Sequence, residues 1–517
     1  MILVTADEMR EMDRVTIEEV GIPGRILMEN AGRGATDFFL ERFPEAARKR
    51  VGILAGRGNN GGDGCVIARL LSHKGIDVEV FLFTKREAVK GDAASNLDLL
   101  FRLDVPVVEV PDEVAFKKVK NRLRAIDIWI DALLGTGLKS DVAGLFKKII
   151  DFVNSSQKSI FSVDIPSGLD SDTGHPRGIC IRAEATATFG CAKIGSVLFP
   201  GAGYTGDLRV VDIGIPLQVT ARVGPKIHLL SADRIRSLIR NRSPDAHKGK
   251  TGHVLVVAGA IGKTGAAAMT AMAAMRTGAG LVTLGIPASL DSTVEPQVLE
   301  AMTAPLAETT PGILTDSAME TVLGLLPGKT CLALGPGIGT AEGTIRLVAG
   351  LVRACPVPMV IDADGLNCLA GCMDALKKRK TDIVLTPHPG EMGRLVGKTS
   401  AEIQKDRVGS AKSLAEAYGV TVVLKGAKTV IAQKDGTLWI NPTGNPGMAS
   451  GGMGDVLTGM IAGWIAQGLS PAEAALAGVY LHGAAADALF RGRGPFGYLA
   501  SDVMAMIPAQ IRETTFL

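Results

Sequence analysis

Short apolar runs alternate with stretches of helical periodicity along the first half of the chain. Val51–Ala55, Val78–Phe83, Ile126–Asp131, Ile160–Asp164, Ala187–Phe189 and Leu208–Asp212 read as strands, and Ala6 to Leu40 ahead of them reads as helical. Strand-then-helix alternation of this kind implies a largely parallel sheet covered on both faces. The pattern lapses after Gly214-Ile215-Pro216 and resumes with a helix near Ser231–Arg240 and a strand at Val254–Ala258. A second series follows in Leu281–Ile286, Thr330–Leu334, Met359–Ile361, Ile383–Leu385 and Val420–Leu424, then a hairpin at Thr429–Ile440 turning at Asp435-Gly436. Helices dominate from Gly454 onward. The pattern predicts two α/β domains in series, 1–220 and 225–517, with the boundary near Ala221. The first is a Rossmann-like three-layer αβα sheet.

Length agrees with that division, since 517 residues exceed one ordinary core at roughly 100–200 residues per domain. A hydrophobic share of 46% with 21% charged residues describes a globular chain and excludes disorder. The 63 glycines exceed the usual share of about 7% and predict glycine-rich binding loops. A net charge of +3 without a Lys/Arg run argues against nucleic acid as a partner. Seven cysteines with no C-x-x-C spacing argue against disulfides or zinc and fit a reducing, cytoplasmic setting; Cys368 and Cys372 read as a buried pair. Met1 to Arg14 carries charges every few residues and does not read as a signal peptide. The uncharged stretch Val456 to Ala472 is broken by Gly459, Gly463, Gln467 and Pro471, so it reads as buried helix rather than a membrane span.

Gly56-Arg57-Gly58-Asn59-Asn60-Gly61 satisfies G-x-G-x-x-G between a strand and a helix expected at Gly64–His73. A dinucleotide fingerprint also needs an acid about 20 residues on, whereas the next strand ends Phe81-Leu82-Phe83-Thr84, which disfavours an ordinary NAD dehydrogenase. The longer run Gly58-Asn59-Asn60-Gly61-Gly62-Asp63-Gly64 is more specific. Together with Asp131-Ala132-Leu133-Leu134-Gly135-Thr136-Gly137 and Val163-Asp164-Ile165-Pro166-Ser167-Gly168 it resembles the YjeF N-terminal family of NAD(P)H-hydrate epimerases. Singly, each segment is also readable as a tight turn. The resemblance implies that Asn59, Asn60, Gly61, Gly62 and Asp63 with Gly135, Thr136, Gly137, Leu138, Lys139, Ser140 and Asp141 hold the hydrated cofactor. It also implies that Asn60, Asp131 and Ser167 bind potassium, and that Asp164 is the acid/base group. The damaged ring carries a hydroxyl at C6 beside nitrogen, so loss and return of water through a nitrogen-stabilised cation is chemistry a single carboxyl group can serve.

In the second domain Gly262-Lys263-Thr264 invites a P-loop reading, but the glycine required five residues before Gly262 is Val257. The stronger nucleotide signal is Asn445-Pro446-Gly447-Met448-Ala449-Ser450-Gly451-Gly452-Met453-Gly454-Asp455 entering a helix at Val456–Ala466. Asp455 is readable as a plain N-cap or as a base. With His247-Lys248-Gly249, Gly335-Pro336-Gly337, Asp362-Ala363-Asp364-Gly365, Thr386-Pro387-His388-Pro389-Gly390-Glu391 and Lys425-Gly426-Ala427-Lys428-Thr429, the domain resembles the YjeF C-terminal family of NAD(P)H-hydrate dehydratases, a ribokinase-like αβα branch. The resemblance implies substrate contacts from Ala266, Gly337, His388 and Asp455, with Asp455 catalytic. It implies a nucleotide site from Lys425, Gly426, Ala427, Lys428, Thr429, Asn445, Gly447, Met448, Ala449, Ser450, Gly451, Gly452, Met453 and Gly454.

Magnesium would accompany ADP, which two-domain members typically use; the residues do not exclude ATP. His388 between two prolines is also readable as a rigid-turn residue, Asp362 and Asp364 as shaping a strand end or ordering water outside the catalytic set, and His482 as a satisfied core or interface histidine. The expected partners are hydrated NADH and NADPH and the nucleotide, with no membrane, in a homo-oligomer whose size the residues do not fix. The alternatives are a ribokinase-like kinase of vitamin precursors with a non-catalytic first module, or a binding scaffold in the first domain, which loss of Asp164 or of the asparagine-glycine loop would have favoured.

Overall fold

The computed structural model describes residues 1–138 and 140–516. The chain divides into two units, Ile2–Ile227 and His228–Leu517. The domain boundary expected near Ala221 falls inside a helix, Leu217–Val223, which ends on Gly224 in the left-handed region.

Seven parallel strands form the main sheet of the first unit, in the order Val107–Glu109, Val78–Leu82, Val51–Ala55, Ile128–Ala132, Ser159–Val163, Ala185–Phe189, Asp207–Val211. Four of these, Val51–Ala55, Val78–Leu82, Ile128–Ala132 and Ala185–Phe189, are buried at every position, as helices on both faces require. The strand order reverses between Val51–Ala55 and Ile128–Ala132, and open parallel sheets place their ligand crevice at such a point. The stretch from Ala6 is not one helix. It runs Ala6–Arg14, a π-helical turn Val15–Glu19, and Gly24–Arg42, broken where Gly21 takes φ +86° and Pro23 caps the next helix. Thr5 and Glu8 cap the first of these reciprocally.

In the second unit the parallel strands Met302–Leu306, Leu281–Pro287, His253–Val257, Cys331–Leu334, Met359–Ile361, Ile383–Leu385 and Thr421–Leu424 lie side by side in that order. The antiparallel pair Val430–Ala432 and Leu438–Ile440 extends them. Helices Thr264–Thr277 and Met453–Ala466 pack closely across one face. A Cβ on Gly459 would lie 2.2 Å from the Thr270 carbonyl oxygen, so the backbones touch where the sequence offers glycine. Every residue from Val456 to Ala466 is buried, which is why that stretch carries no charge. Among the described residues no helix is long and apolar enough to cross a membrane.

Candidate active sites

The asparagine-glycine run does not precede its helix but forms the first turn. The helix is Asn59–His73, Gly58 is its N-cap, and Asn59 to Gly61 therefore present the unpaired N–H groups of a helix N-terminus at the crevice, while Gly62 N already donates to Gly58 O at 3.1 Å. The glycines there are required by close packing. A Cβ on Gly56 would stand 2.0 Å from Leu133 O, and one on Gly61 would stand 2.1 Å from Gly56 O. Gly135, Thr136, Gly137, Leu138, Ser140 and Asp141 run from the next strand end toward the helix Gly144–Ser155; Lys139 lies outside the described residues. Gly135 comes close to both Asn60 and Asp164, since a Cβ built on it would be 3.7 Å from Asn60 Cγ and 3.9 Å from Asp164 Oδ2.

Asp164 takes φ +65°, a strained setting for a residue with a side chain. Its Oδ1 accepts from Lys193 Nζ at 2.5 Å, and from Thr188 Oγ1 and Phe189 N, each at 3.4 Å. Oδ2 receives no hydrogen bond from the described residues. Lys193 is 1% exposed and also donates to Thr188 Oγ1 and to Phe189 O, each at 3.1 Å. Asp13 and Asp63 share this field. Burial, Asp164 and Asp13 push Asp63 well above the carboxylate range, and burial pushes Asp13 up to about 6, both against the pull of Lys193. The sequence reading missed Asp13 and Lys193; a single lysine in the otherwise uncharged run Ala185–Pro200 was the available signal.

Asp131 is fully buried and accepts from Ser167 Oγ (2.5 Å), Ser167 N (2.8 Å), Ser162 Oγ (2.9 Å) and Leu133 N (3.4 Å). Burial pushes its carboxyl up despite these bonds. Among the described residues no ammonium or guanidinium pairs with it. Asn60 adds a second imbalance, because its Oδ1 and Nδ2 are both shielded from solvent without a partner.

In the second unit Asp455 is not an N-cap. Gly452, at φ +89°, caps the helix Met453–Ala466, and Asp455 stands in its first turn with a carboxylate that receives no hydrogen bond from the described residues. Burial, then Asp362, push it up to about 6, against Lys425. Lys425 Nζ donates to Asp362 Oδ1 at 2.6 Å and lies 3.8 Å from Glu391 Oε2; Thr458 Oγ1 donates to Asp362 Oδ2 at 2.8 Å. Burial works against the Lys425 ammonium, but Asp362, Glu391 and Asp455 outweigh it and raise its pKa. A Cβ on Gly454 would lie 3.3 Å from Lys425 Nζ, so the glycine loop and the lysine meet. Lys263, the residue of the failed P-loop pattern, pairs with Asp364 at 2.8 Å. Gly337 closes on Lys263 and Ala266, whose Cβ atoms would stand 2.9 and 3.3 Å from a Cβ built on it.

His388 does serve its turn. Its Nδ1 accepts from Gly390 N (3.0 Å) and Glu391 N (3.3 Å) as N-cap of Pro389–Val396, while Glu391 Oε2 accepts from His388 N at 2.8 Å. With Nδ1 an acceptor, the ring's proton sits on Nε2 of a half-exposed side chain, so cap and ligand contact are compatible. His482 departs from expectation. It is buried, but its Nε2 has no partner, and burial pushes its pKa down to about 4. The two loops expected to hold the nucleotide are fixed by polar contacts: Asn445 Oδ1 accepts from Gly447 N (3.0 Å) and Tyr498 OH (2.5 Å), Asn445 Nδ2 donates to Asp487 Oδ1 (2.9 Å), and Thr429 Oγ1 donates to Gly426 O (3.0 Å).

Two αβα domains in series, each collecting acids and a buried lysine at the C-terminal ends of parallel strands, describe an enzyme with two sites. A family model for the YjeF-related protein N-terminus matches residues 24–195, and one for NAD(P)H-hydrate dehydratase matches residues 254–509. The bifunctional NAD(P)H-hydrate repair enzyme Nnr of Moorella thermoacetica is 43% identical, covering 99% of this chain and 97% of that one. Its namesakes in Thermofilum pendens and Escherichia coli are 37% and 36% identical, covering 99% and 97% of this chain and 96% and 92% of theirs. A crystallised ADP/ATP-dependent NAD(P)H-hydrate dehydratase of Bacillus subtilis is 31% identical over 56% of this chain and 98% of that one, with a TM-score of 0.49. The chain belongs to the family of bifunctional NAD(P)H-hydrate repair enzymes, with an epimerase domain followed by a dehydratase domain. The vitamin-kinase reading finds no support among these relatives.

Proposed function

We propose that the first unit interconverts the R and S epimers of hydrated NADH and NADPH at Asp164, and that the second dehydrates the S epimer at Asp455 with ADP, releasing AMP and phosphate. The observation that carries this reading is a carboxylate with oxygen left without a donor in each unit, Oδ2 alone in Asp164 and both oxygens in Asp455, beside a glycine-rich loop and within the field of a buried lysine.

For epimerisation, Asp13, Asp63 and Asp164 set three carboxyl groups against one ammonium, and burial together with its acidic neighbours raises the pKa of Asp63, which favours holding a proton within the cluster. Relayed to Asp164 Oδ2, that proton leaves with the C6 hydroxyl as water while the ring nitrogen's lone pair forms the C=N bond. Water adding to the opposite face of C6 returns the proton to Oδ2. Potassium, when bound, would supply a fixed positive charge. The buried, cation-free Asp131 and the unpartnered oxygen of Asn60 fit that role, with Ser167 oriented by Asp131.

For dehydration, Asp455 is ionised at neutral pH yet basic enough to take the C6 hydroxyl proton as that oxygen attacks the terminal phosphorus. The C–O bond then breaks with phosphate as leaving group and the C5 proton is lost to water, restoring the ring double bond. Residues Lys425–Thr429 and Asn445–Gly454 hold the nucleotide, and Gly337, Ala266 and His388 the hydrated ring. Magnesium, when bound, would neutralise phosphate charge. Among the described residues no three carboxylate, imidazole or thiol groups could hold a metal ion by themselves, so its ligands would come largely from the phosphates.

The experiment is to incubate the protein with mixed epimers of hydrated NADH and either ADP or ATP and follow the returning absorbance of NADH. Complete return with ADP supports the reading; return with ATP alone overturns the donor assignment. A homo-oligomer remains our expectation, to be read from light scattering.

A further inference from the structure

Arg407 begins the helix Arg407–Tyr418 and is 6% exposed. Three features of this position are costly. Among the described residues no carboxylate pairs with its guanidinium, its Nε is buried without a partner, and a cation at the first position of a helix opposes the helix dipole. Burial accordingly pushes its pKa down to about 10. What the guanidinium does contact is one loop: Nη1 donates to Ala427 O at 2.5 Å and Nη2 to Leu424 O at 3.1 Å, and Nη2 lies 3.0 Å from where a Gly426 Cβ would be.

In a trans peptide the N–H points opposite to the preceding carbonyl. Drawing Ala427 O toward Arg407 therefore turns the Lys428 N–H away from it, toward the loop's outer side. The Lys425 N–H, its counterpart at Leu424, is already spent on Pro387 O at 2.8 Å. The loop keeps this shape with two residues at positive φ, Gly426 at +146° and Lys428 at +56°.

We propose that Arg407 is the positioning residue of the nucleotide loop: it clamps the carbonyls of Leu424 and Ala427 so that the Lys428 N–H faces a nucleoside diphosphate, whose phosphates balance the otherwise unmatched guanidinium charge. This rests on the assignment of Lys425–Thr429 to the nucleotide. Arginine suits the position because its rigid planar fork meets two separate carbonyls with two different nitrogens, a pre-organised reach that the single nitrogen of a lysine does not offer.

The test uses the full chain with Arg407→Met, Arg407→Lys and Gly426→Val, measuring ADP binding by calorimetry and KM for ADP and for the hydrate separately. Thermal unfolding and epimerisation by the first unit report folding. For Arg407→Met, the ADP Kd and KM rise about tenfold or more while the hydrate KM changes less than twofold; Arg407→Lys recovers part of the loss. A folded Arg407→Met protein with ADP affinity within twofold of the parent overturns the proposal. Should that variant not fold, Arg407→Lys decides, with a severalfold loss expected and parent affinity overturning. If Gly426→Val also binds ADP like the parent, the loop assignment itself is wrong; if it alone loses binding, the loop stands and the role of Arg407 falls.

Discussion

Lys193 Nζ donates to Asp164 Oδ1 at 2.5 Å, and its remaining protons go to Thr188 Oγ1 and Phe189 O, so the lysine is fully spent holding one oxygen of the carboxylate. In the epimerisation proposed above it positions Asp164 rather than exchanging protons with substrate, and leaves Oδ2 for that task. Lys193→Met should slow epimerisation by about 10²–10⁴-fold, the scale of a misplaced acid–base group. Dehydration of the S epimer by the same chain should persist. Chromatographic separation of the epimers over time checks this; parent-rate epimerisation by the variant would remove Lys193 from the site.

Asp455 predicts opposed effects on activity and stability. Its folded pKa of about 6 lies above the ordinary 3.8, so the folded state holds the proton more tightly. Stability therefore falls as pH rises from about 4 to 6 and stays lowered above that window. Asp455→Asn should raise stability at pH 7 by about 1–3 kcal/mol while abolishing dehydration. In the parent, dehydration should increase as pH rises through about 6. A calorimetric scan showing the variant less stable than the parent at pH 7 would contradict the burial argument.

Ala363, at φ +51°, stands between Asp362, which holds Lys425, and Asp364, which holds Lys263. The strained residue aims two carboxylates at two different lysines. Ala363→Val should cost about 1–3 kcal/mol and depress dehydration, whereas Ala363→Gly should keep activity at equal or higher stability. Denaturant melts of the two variants read the difference; equal stability would show that the conformation is not strained.

Gly452 caps the helix of Asp455 at φ +89°, where an added Cβ would meet the Met269 side chain at 2.8 Å. Gly452→Ala should weaken ADP binding with little change in the hydrate KM, since the cap shapes the backbone that the proposed nucleotide site turns toward the phosphates. ADP titration of the folded variant decides; unchanged affinity would detach this loop from the nucleotide.

Most of the sheets could be read from the chain because parallel strands buried on both faces are written as unbroken apolar runs, as in Val51–Ala55 and Ile383–Leu385. The edge strand Asp207–Val211 was legible, but two others were not: Val107–Glu109 is short and half-exposed, and Met302–Leu306 contains Pro305, which an edge tolerates but the pattern reads as a break. Residues sharing a local string with a strand end, such as Asp131 and Asp164, or with a glycine-rich helix entry, such as Asp455, were visible. Lys193, Asp13 and Arg407 were not, because their roles depend on partners that only the folded chain brings near. Asp164 precedes Lys193 by 29 residues, and Arg407 reaches carbonyls 17 and 20 residues on. The asparagine-glycine run was read as a loop before its helix because glycine argues against helix interiors, yet close packing against Gly56 makes glycine obligatory in that first turn.

The central claim is that Asp164 and Asp455 divide the repair between them, and it is tested most directly by Asp164→Asn and Asp455→Asn on mixed epimers of hydrated NADH with ADP. Asparagine keeps the shape of aspartate but cannot accept a proton as a carboxylate does. The account predicts that the Asp164 variant restores NADH from the S epimer rapidly and then slows to spontaneous interconversion, while the Asp455 variant interconverts epimers yet restores no NADH. A single fast phase consuming both epimers in the Asp164 variant, or near-parent repair in the Asp455 variant, would contradict it.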